Sequence, residues 1–149
     1  VISRKGKTRI VSAENFFIGP AIDITRMTTL EKNDILVEIR IPKKWAGAKY
    51  YFEKVADRQT WDFSLLNIAM VAKVSAGKVT DVRMACGGVQ CTPRRLTNVE
   101  SLMKGEIIGT EMETLAKRVA ARGAKALNYN HFKIPLMGSL AARAVRSLA

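Results

Sequence analysis

The spacing of apolar residues changes once along this chain, and that change limits the folds open to it. Between Phe63 and Val89 two long apolar runs flank Ala76-Gly77-Lys78. The pattern predicts an antiparallel hairpin of residues 65–74 with residues 79–86. Upstream, Ile35-Leu36-Val37-Glu38-Ile39-Arg40-Ile41 alternates after its first two residues and halts at Pro42, as a half-buried strand does. Lys-Tyr-Tyr-Phe-Glu-Lys-Val at 49–55 is aromatic and β-branched enough for another strand. Residues 1–12 place a Gly6-Lys7 pair between two short β-prone runs, the pattern of a tight hairpin that needs positive φ. A chain that opens in mid-strand leads us to expect further residues upstream or on another polypeptide.

The second half reads differently. Thr97-Asn98-Val99-Glu100 and Thr110-Glu111-Met112-Glu113 have the form of capping boxes, which satisfy free backbone donors where a helix begins. The second of these helices is expected to run to about Leu127, with acids in its first turn and cations later, matching the helix dipole. Pro135 suits the first turn of a last helix, whose stripe is Met137, Leu140, Ala141, Ala144, Val145 and Leu148. Strands first and helices afterwards give an α+β fold: an antiparallel sheet of three to four strands with about three helices on one face.

At 149 residues and 48% hydrophobic composition the chain can bury a core without staples. No run reaches the roughly 18 apolar residues of a membrane helix, and Val-Ile-Ser-Arg-Lys at the start is not a secretory signal, which points to a cytoplasmic address. Cys86 and Cys91 stand five apart, neither a C-x-x-C pair nor, with His131 as the one histidine, a zinc set. They are read as reduced thiols, and no metal site is expected. The same scarcity leaves little room for a nucleophilic triad, and Gly87-Gly88 lacks any phosphate-loop pattern, so it is read as a place of close backbone or ligand approach.

The formal charge is +12 and lies at the ends: Arg4, Lys5, Lys7 and Arg9 precede the first acid, and seven cations follow Glu113 with no acid among them. These are either solvated faces or a docking surface for nucleic acid or an acidic protein. A nucleic-acid module is the weaker alternative, because no RNP, KH or zinc-finger pattern accompanies the charge.

Several segments taken in order resemble one family. They are Phe16-Phe17-Ile18-Gly19-Pro20, Asn33-Asp34 leading into the run at 35–42, Tyr51-Phe52-Glu53-Lys54-Val55-Ala56-Asp57-Arg58, and Asp62-Phe63-Ser64. They continue through Val79-Thr80-Asp81-Val82-Arg83, Gly87-Gly88-Val89, Thr92-Pro93-Arg94-Arg95-Leu96, Phe132-Lys133-Ile134-Pro135-Leu136 and Arg143-Ala144-Val145-Arg146. Their order and spacing are similar to the FAD-carrying medium subunit, or equivalent domain, of molybdenum hydroxylases of the xanthine dehydrogenase and carbon monoxide dehydrogenase class.

The resemblance implies a CO dehydrogenase flavoprotein C-terminal domain-like fold and an electron-relay role. FAD would be shared with an upstream domain, and partner subunits would carry molybdopterin and 2Fe-2S clusters. It implies that residues 1–20 are the terminal hairpin and connector of that upstream FAD-binding domain, and residues 21–149 the C-terminal domain. The family's glycine-rich segments that cradle the FAD diphosphate have no counterpart here, so the isolated chain is expected to bind FAD poorly. By resemblance, Ile35 and Leu36 are the apolar residues beside the flavin and Lys54 the lysine near its polar edge. Arg58, Trp61 and Asp62 fall in the near-flavin loop. A non-catalytic scaffold in such a complex is the alternative, and Lys54→Met separates the two.

Overall fold

The computed structural model describes residues 1–149, and the chain divides into two compact units, Val1–Lys44 and Trp45–Ala149. In the first, strands β1 (Ile2–Arg4) and β2 (Lys7–Arg9) form an antiparallel hairpin. Its turn residues are Lys5 and Gly6, at φ of 49° and 77°. The turn thus falls one residue earlier than the expected Gly6-Lys7 pair, because Lys7 is already in register with Arg4 and the hairpin requires two successive left-handed residues. A single turn of helix, α1 (Ala13–Phe16), follows.

Strand β3 (Ile35–Leu36) pairs with the other edge of β1, giving the order β2-β1-β3. The strand expected over 35–41 is therefore shortened to two residues. The Val37 N–H bonds the carbonyl of Val1 at 3.0 Å and the Val1 ammonium donates to the carbonyl of Glu38 at 2.7 Å, so contact with this edge runs on to Glu38 beyond the two strand residues. Val37, Ile39 and Ile41 are left exposed.

Asp34, just before β3, gathers the hairpin. Its solvent-inaccessible carboxylate accepts from Arg9 Nη2 at 2.6 Å, the Glu31 N–H at 2.9 Å and Arg4 Nε at 2.7 Å. These bonds, that of Arg9 foremost, hold the carboxyl well below the ordinary carboxylate range. Two of the four leading cations, read from sequence as solvated or docking charges, are thus used inside their own unit.

The second unit is a four-stranded antiparallel sheet in the order β4-β5-β6-β7. Its strands are β4 (Lys49–Val55), at the expected bounds, β5 (Leu66–Ser75), β6 (Lys78–Gly87) and the short β7 (Arg94–Arg95). Ala76 and Gly77, at φ of 48° and 74°, turn β5 into β6. One face of this sheet is core: Leu66, Ile68, Met70 and Ala72 of β5 lie beside Val79, Val82, Met84 and Cys86 of β6, all buried. Each fully buried Leu, Ile or Met side chain contributes about 1.5–3 kcal/mol. Three helices cover that face. Helix α2 (Thr97–Met103) packs on β6, α4 (Lys133–Arg146) packs on β5 and β4, and α3 (Thr110–Ala120) packs against both helices.

Both helices expected to start with capping boxes begin at the expected place, but neither threonine caps. Their glutamates are recruited by tertiary contacts instead. Glu100, buried, accepts the Met84 N–H at 2.9 Å and Arg95 Nε at 3.0 Å, tying α2 to β6 and β7, while Glu113 pairs with Arg146 of α4 at 2.7 Å. Helix α3 also stops at Ala120, short of Leu127, where Gly123 turns left-handed at φ 80°.

Pro135 lies in the first turn of α4, and the stripe from Met137 to Leu148 is buried. A Cβ on Gly138 would stand 2.6 Å from the Lys117 carbonyl oxygen, so glycine permits the close approach of α3 and α4. Lys49 Nζ donates to the carbonyl of Leu148 at 2.6 Å, joining the first strand of the unit to the end of its last helix. No helix is long and apolar enough to cross a membrane.

Candidate functional site

Alternation along β4 sorts its side chains to two faces. Glu53 turns toward the helices, where its carboxylate meets Arg143 of α4 at 2.9 Å and the Tyr51 hydroxyl. Tyr50, Phe52 and Lys54 therefore stand on the uncovered face, and Phe52 is 64% exposed. Register extends that face across the sheet, with Phe52 beside Ala69 and Ala85, and Lys54 beside Asn67 and Gly87. The result is a shelf of small residues with an aromatic ring and a cation at its β4 margin.

The connection from β4 to β5 folds back over the end of the shelf. Its neck is closed by the Leu65 N–H donating to the Val55 carbonyl at 2.7 Å. Within it the Arg58 N–H donates to Asp62 Oδ2 at 2.8 Å and Arg58 Nη2 to the Trp61 carbonyl at 2.9 Å. Lys54 Nζ reaches up from the strand to the Asp62 carbonyl at 2.5 Å. Trp61 sits at φ 51° with its side chain almost wholly in solvent, and Phe63 is as open. A non-glycine residue at positive φ is strained, and strain of this kind persists where neighbouring bonds over-determine the loop.

Lys54, Arg58, Trp61 and Asp62, four of the six residues singled out from sequence, are thus one bonded cluster. Ile35 and Leu36 stand in the other compact unit, on β3, with both side chains solvent-exposed. Sequence reasoning missed Tyr50, Phe52 and Phe63, although the alternation at 49–55 already placed Phe52 on the same face as Lys54.

The glycine pair at the end of β6 serves close packing. A Cβ on Gly87 would lie 2.8 Å from Asn67 Oδ1, and one on Gly88, at φ 78°, 3.0 Å from the Leu65 carbonyl. Both glycines thus let the end of β6 abut the start of β5, beneath the loop. Both cysteines are free; burial pushes the Cys86 thiol up to about 11, which keeps it an inert core group beside Met137, 3.7 Å away. The cluster holds no nucleophile and base in contact. Its chemistry is that of a fixed ammonium, main-chain carbonyls and exposed aromatic side chains.

Residues 50–148 match the family described as the CO dehydrogenase flavoprotein C-terminal domain. The chain belongs to that family. Among curated relatives, it is 34% identical over 119 residues to the carbon monoxide dehydrogenase medium chain of Hydrogenophaga pseudoflava, covering 80% of this chain and 38% of that one. It is 29% identical over 121 residues to the nicotine 6-hydroxylase medium subunit of Paenarthrobacter nicotinovorans, covering 81% and 39%. This chain therefore spans well under half the length of these relatives.

Among solved structures, carbon monoxide dehydrogenase from Hydrogenophaga pseudoflava superposes with a TM-score of 0.74 at 29% identity, covering 89% of this chain and 46% of that one. Quinoline 2-oxidoreductase from Pseudomonas putida 86 gives a TM-score of 0.79 at 22% identity, covering 98% and 50%, a likeness of fold. The CO dehydrogenase flavoprotein C-terminal domain begins inside β4 and takes in the shelf, the Arg58–Asp62 loop and α2 to α4, whereas Ile35 and Leu36 precede it.

Proposed function

We propose that this chain is part of the FAD-containing electron-transfer subunit of a molybdenum hydroxylase of the xanthine, aldehyde or CO dehydrogenase type. In that role it closes over the flavin and docks to an iron–sulfur small subunit and a molybdopterin large subunit in the cytoplasm. The observation that carries the reading is the exposed Lys54 ammonium, held by the Asp62 carbonyl on the sheet face that also carries the exposed Phe52, in a domain of this flavoprotein family. The fit is to the ring and not to the whole cofactor, since no glycine-rich segment here could cradle a diphosphate.

FAD, when bound, supplies the electron exchange between the iron–sulfur clusters and the final acceptor. The chain's own residues have three tasks. Ile35 and Leu36 exclude water from the ring. Lys54 sets a positive charge at the ring's polar edge, which stabilises negative charge arriving there. Arg58, Trp61 and Asp62 shape the approach of the acceptor. Residues 1–20 are assigned to the hairpin and connector of an upstream FAD-binding domain and residues 21–149 to the C-terminal domain. Pairing of β3 with β1 joins the start of this C-terminal segment to the hairpin within the compact unit Val1–Lys44.

Co-purification from the native source, with an absorption spectrum and molybdenum and iron assays, tests this directly. Flavin, iron and molybdenum in one multi-subunit complex are expected. A colourless protein that runs alone would overturn the proposal.

A further inference from the structure

Most guanidinium groups of this chain already hold a carboxylate. Arg4 and Arg9 hold Asp34, Arg26 holds Asp23, Arg40 holds Glu38, and Arg58 holds Asp62. Arg83, Arg95, Arg143 and Arg146 hold Asp81, Glu100, Glu53 and Glu113. The arginines outside this scheme are Arg94, Arg118 and Arg122, and two of those three line one cleft together with Lys125. The cleft has a volume of about 180 Å³, a partly apolar floor that includes Val89, Ala120 and Met137, and no carboxylate anywhere in its lining.

Its cations come from separate parts of the unit. Arg94 opens β7, where Nη1 reaches Gln90 Oε1 at 3.4 Å, and Arg122 and Lys125 belong to the turn after α3. That turn is fixed by Gly123 at φ 80°, the Ala124 N–H donating to Ala121 at 3.0 Å and the Leu127 N–H donating to Asn130 Oδ1 at 2.6 Å. A neighbouring hollow shares Lys125 and adds Lys133, whose Nζ is anchored on the Gly88 carbonyl at 2.7 Å. Like charges gathered on a fixed framework repel one another, and an incoming anion relieves that repulsion.

We infer that this cleft receives an acidic segment of a partner subunit, with an Asp or Glu carboxylate seated between Arg94 and Arg122. The planar guanidinium fork matches a carboxylate in two parallel hydrogen bonds. The volume is below the roughly 300 Å³ at which small-molecule sites begin, so it suits a side-chain head and not a nucleotide. Ala120 and Met137 belong to the helical layer, so the cleft is reached from the side of the sheet away from Lys54. The inference rests on the reading that the chain works inside a multi-subunit complex.

The test compares the assembled complex carrying Arg94→Glu with Arg122→Glu against one carrying Lys32→Glu with Lys104→Glu, the same charge change away from the cleft. Analytical ultracentrifugation across a sodium chloride series reads subunit dissociation. The cleft variant is expected to weaken assembly at least about tenfold, with the control at the wild-type value; equal behaviour of the two overturns the inference. In case the reversal disturbs folding, carbodiimide coupling of the unaltered complex gives a second reading. An amide between Lys125 Nζ and a partner carboxylate is expected, and a Lys125 left unlinked while other lysines couple overturns the assignment. A cleft that takes inorganic phosphate without any effect on assembly also overturns it. A flavin-bearing complex indifferent to the cleft rejects this inference alone, whereas a complex without flavin rejects the functional reading and still reports on the cleft.

Discussion

Lys54 Nζ lies 2.5 Å from the main-chain oxygen of Asp62, so the cation proposed to face the flavin also pins the loop proposed to admit the acceptor. Lys54→Met keeps length and removes charge. A fixed charge that stabilises the reduced ring by about 1.4–2.8 kcal/mol more than the oxidised one corresponds, for a two-electron couple, to about 30–60 mV. In the complete complex the flavin potential of Lys54→Met is expected to fall by that amount in a spectroelectrochemical titration. An unchanged potential with flavin fully retained would favour a scaffold role.

The loop should loosen when its carboxylate is removed. Asp62 Oδ2 accepts the Arg58 N–H, and the loss of one such bond, at about 1 kcal/mol, raises the open population about fivefold. Trypsin cleavage after Arg58 in Asp62→Ala is expected to accelerate by that factor, read by mass spectrometry, with cleavage elsewhere unaltered.

Gly138→Ala sets two effects against each other. Alanine gains up to about 1 kcal/mol of helix propensity, but its Cβ would stand 2.6 Å from a backbone oxygen that cannot rotate away. Overpacking of this kind costs about 1–3 kcal/mol. A lower melting temperature is expected in calorimetry, and a rise would show that α3 and α4 separate freely.

Glu100→Ala removes the acceptor of the buried Met84 N–H and one carboxylate held by the Arg95 guanidinium. Since water partly reaches Arg95, we expect a loss of about 2–3 kcal/mol, whereas Glu106→Ala, at an exposed position, should stay within about 0.5 kcal/mol. Urea unfolding at constant m-value measures both.

For Asp34 the sign follows from its depressed carboxyl. The unfolded group titrates near 3.9, so its stabilising contribution is complete above about pH 4 and is lost as pH falls toward the lower folded value. Amide protection in β1 and β3 should drop below pH 4 in the wild type. In Asp34→Asn it should be weaker at pH 6 and change less on acidification. Parallel profiles would refute the assignment.

What could be read from sequence depended on whether a segment's partner was local. The β5–β6 hairpin was legible because Ala76 and Gly77 supply both left-handed residues, and α4 because its stripe repeats at helical spacing. Of the strand expected to end at Ile41, only the part to Glu38 meets β1, since alternation reports fitness for a sheet and not the presence of a neighbour. The capping boxes misled because Glu100 and Glu113 are claimed by Arg95 and Arg146, partners that spacing within a helix cannot reveal. The Lys54 cluster was visible as a resemblance, but its hydrogen bonds depend on loop geometry that no periodicity encodes.

The bond from Lys49 to Leu148 spans 99 positions in the chain and 2.6 Å in space. It clasps the first strand of the helix-covered unit to the turn that follows its last helix. A contact between positions so distant in sequence can close only once the sheet and helices between them have assembled. The clasp therefore reports completion of the unit as a whole and not of any one hairpin or helix within it.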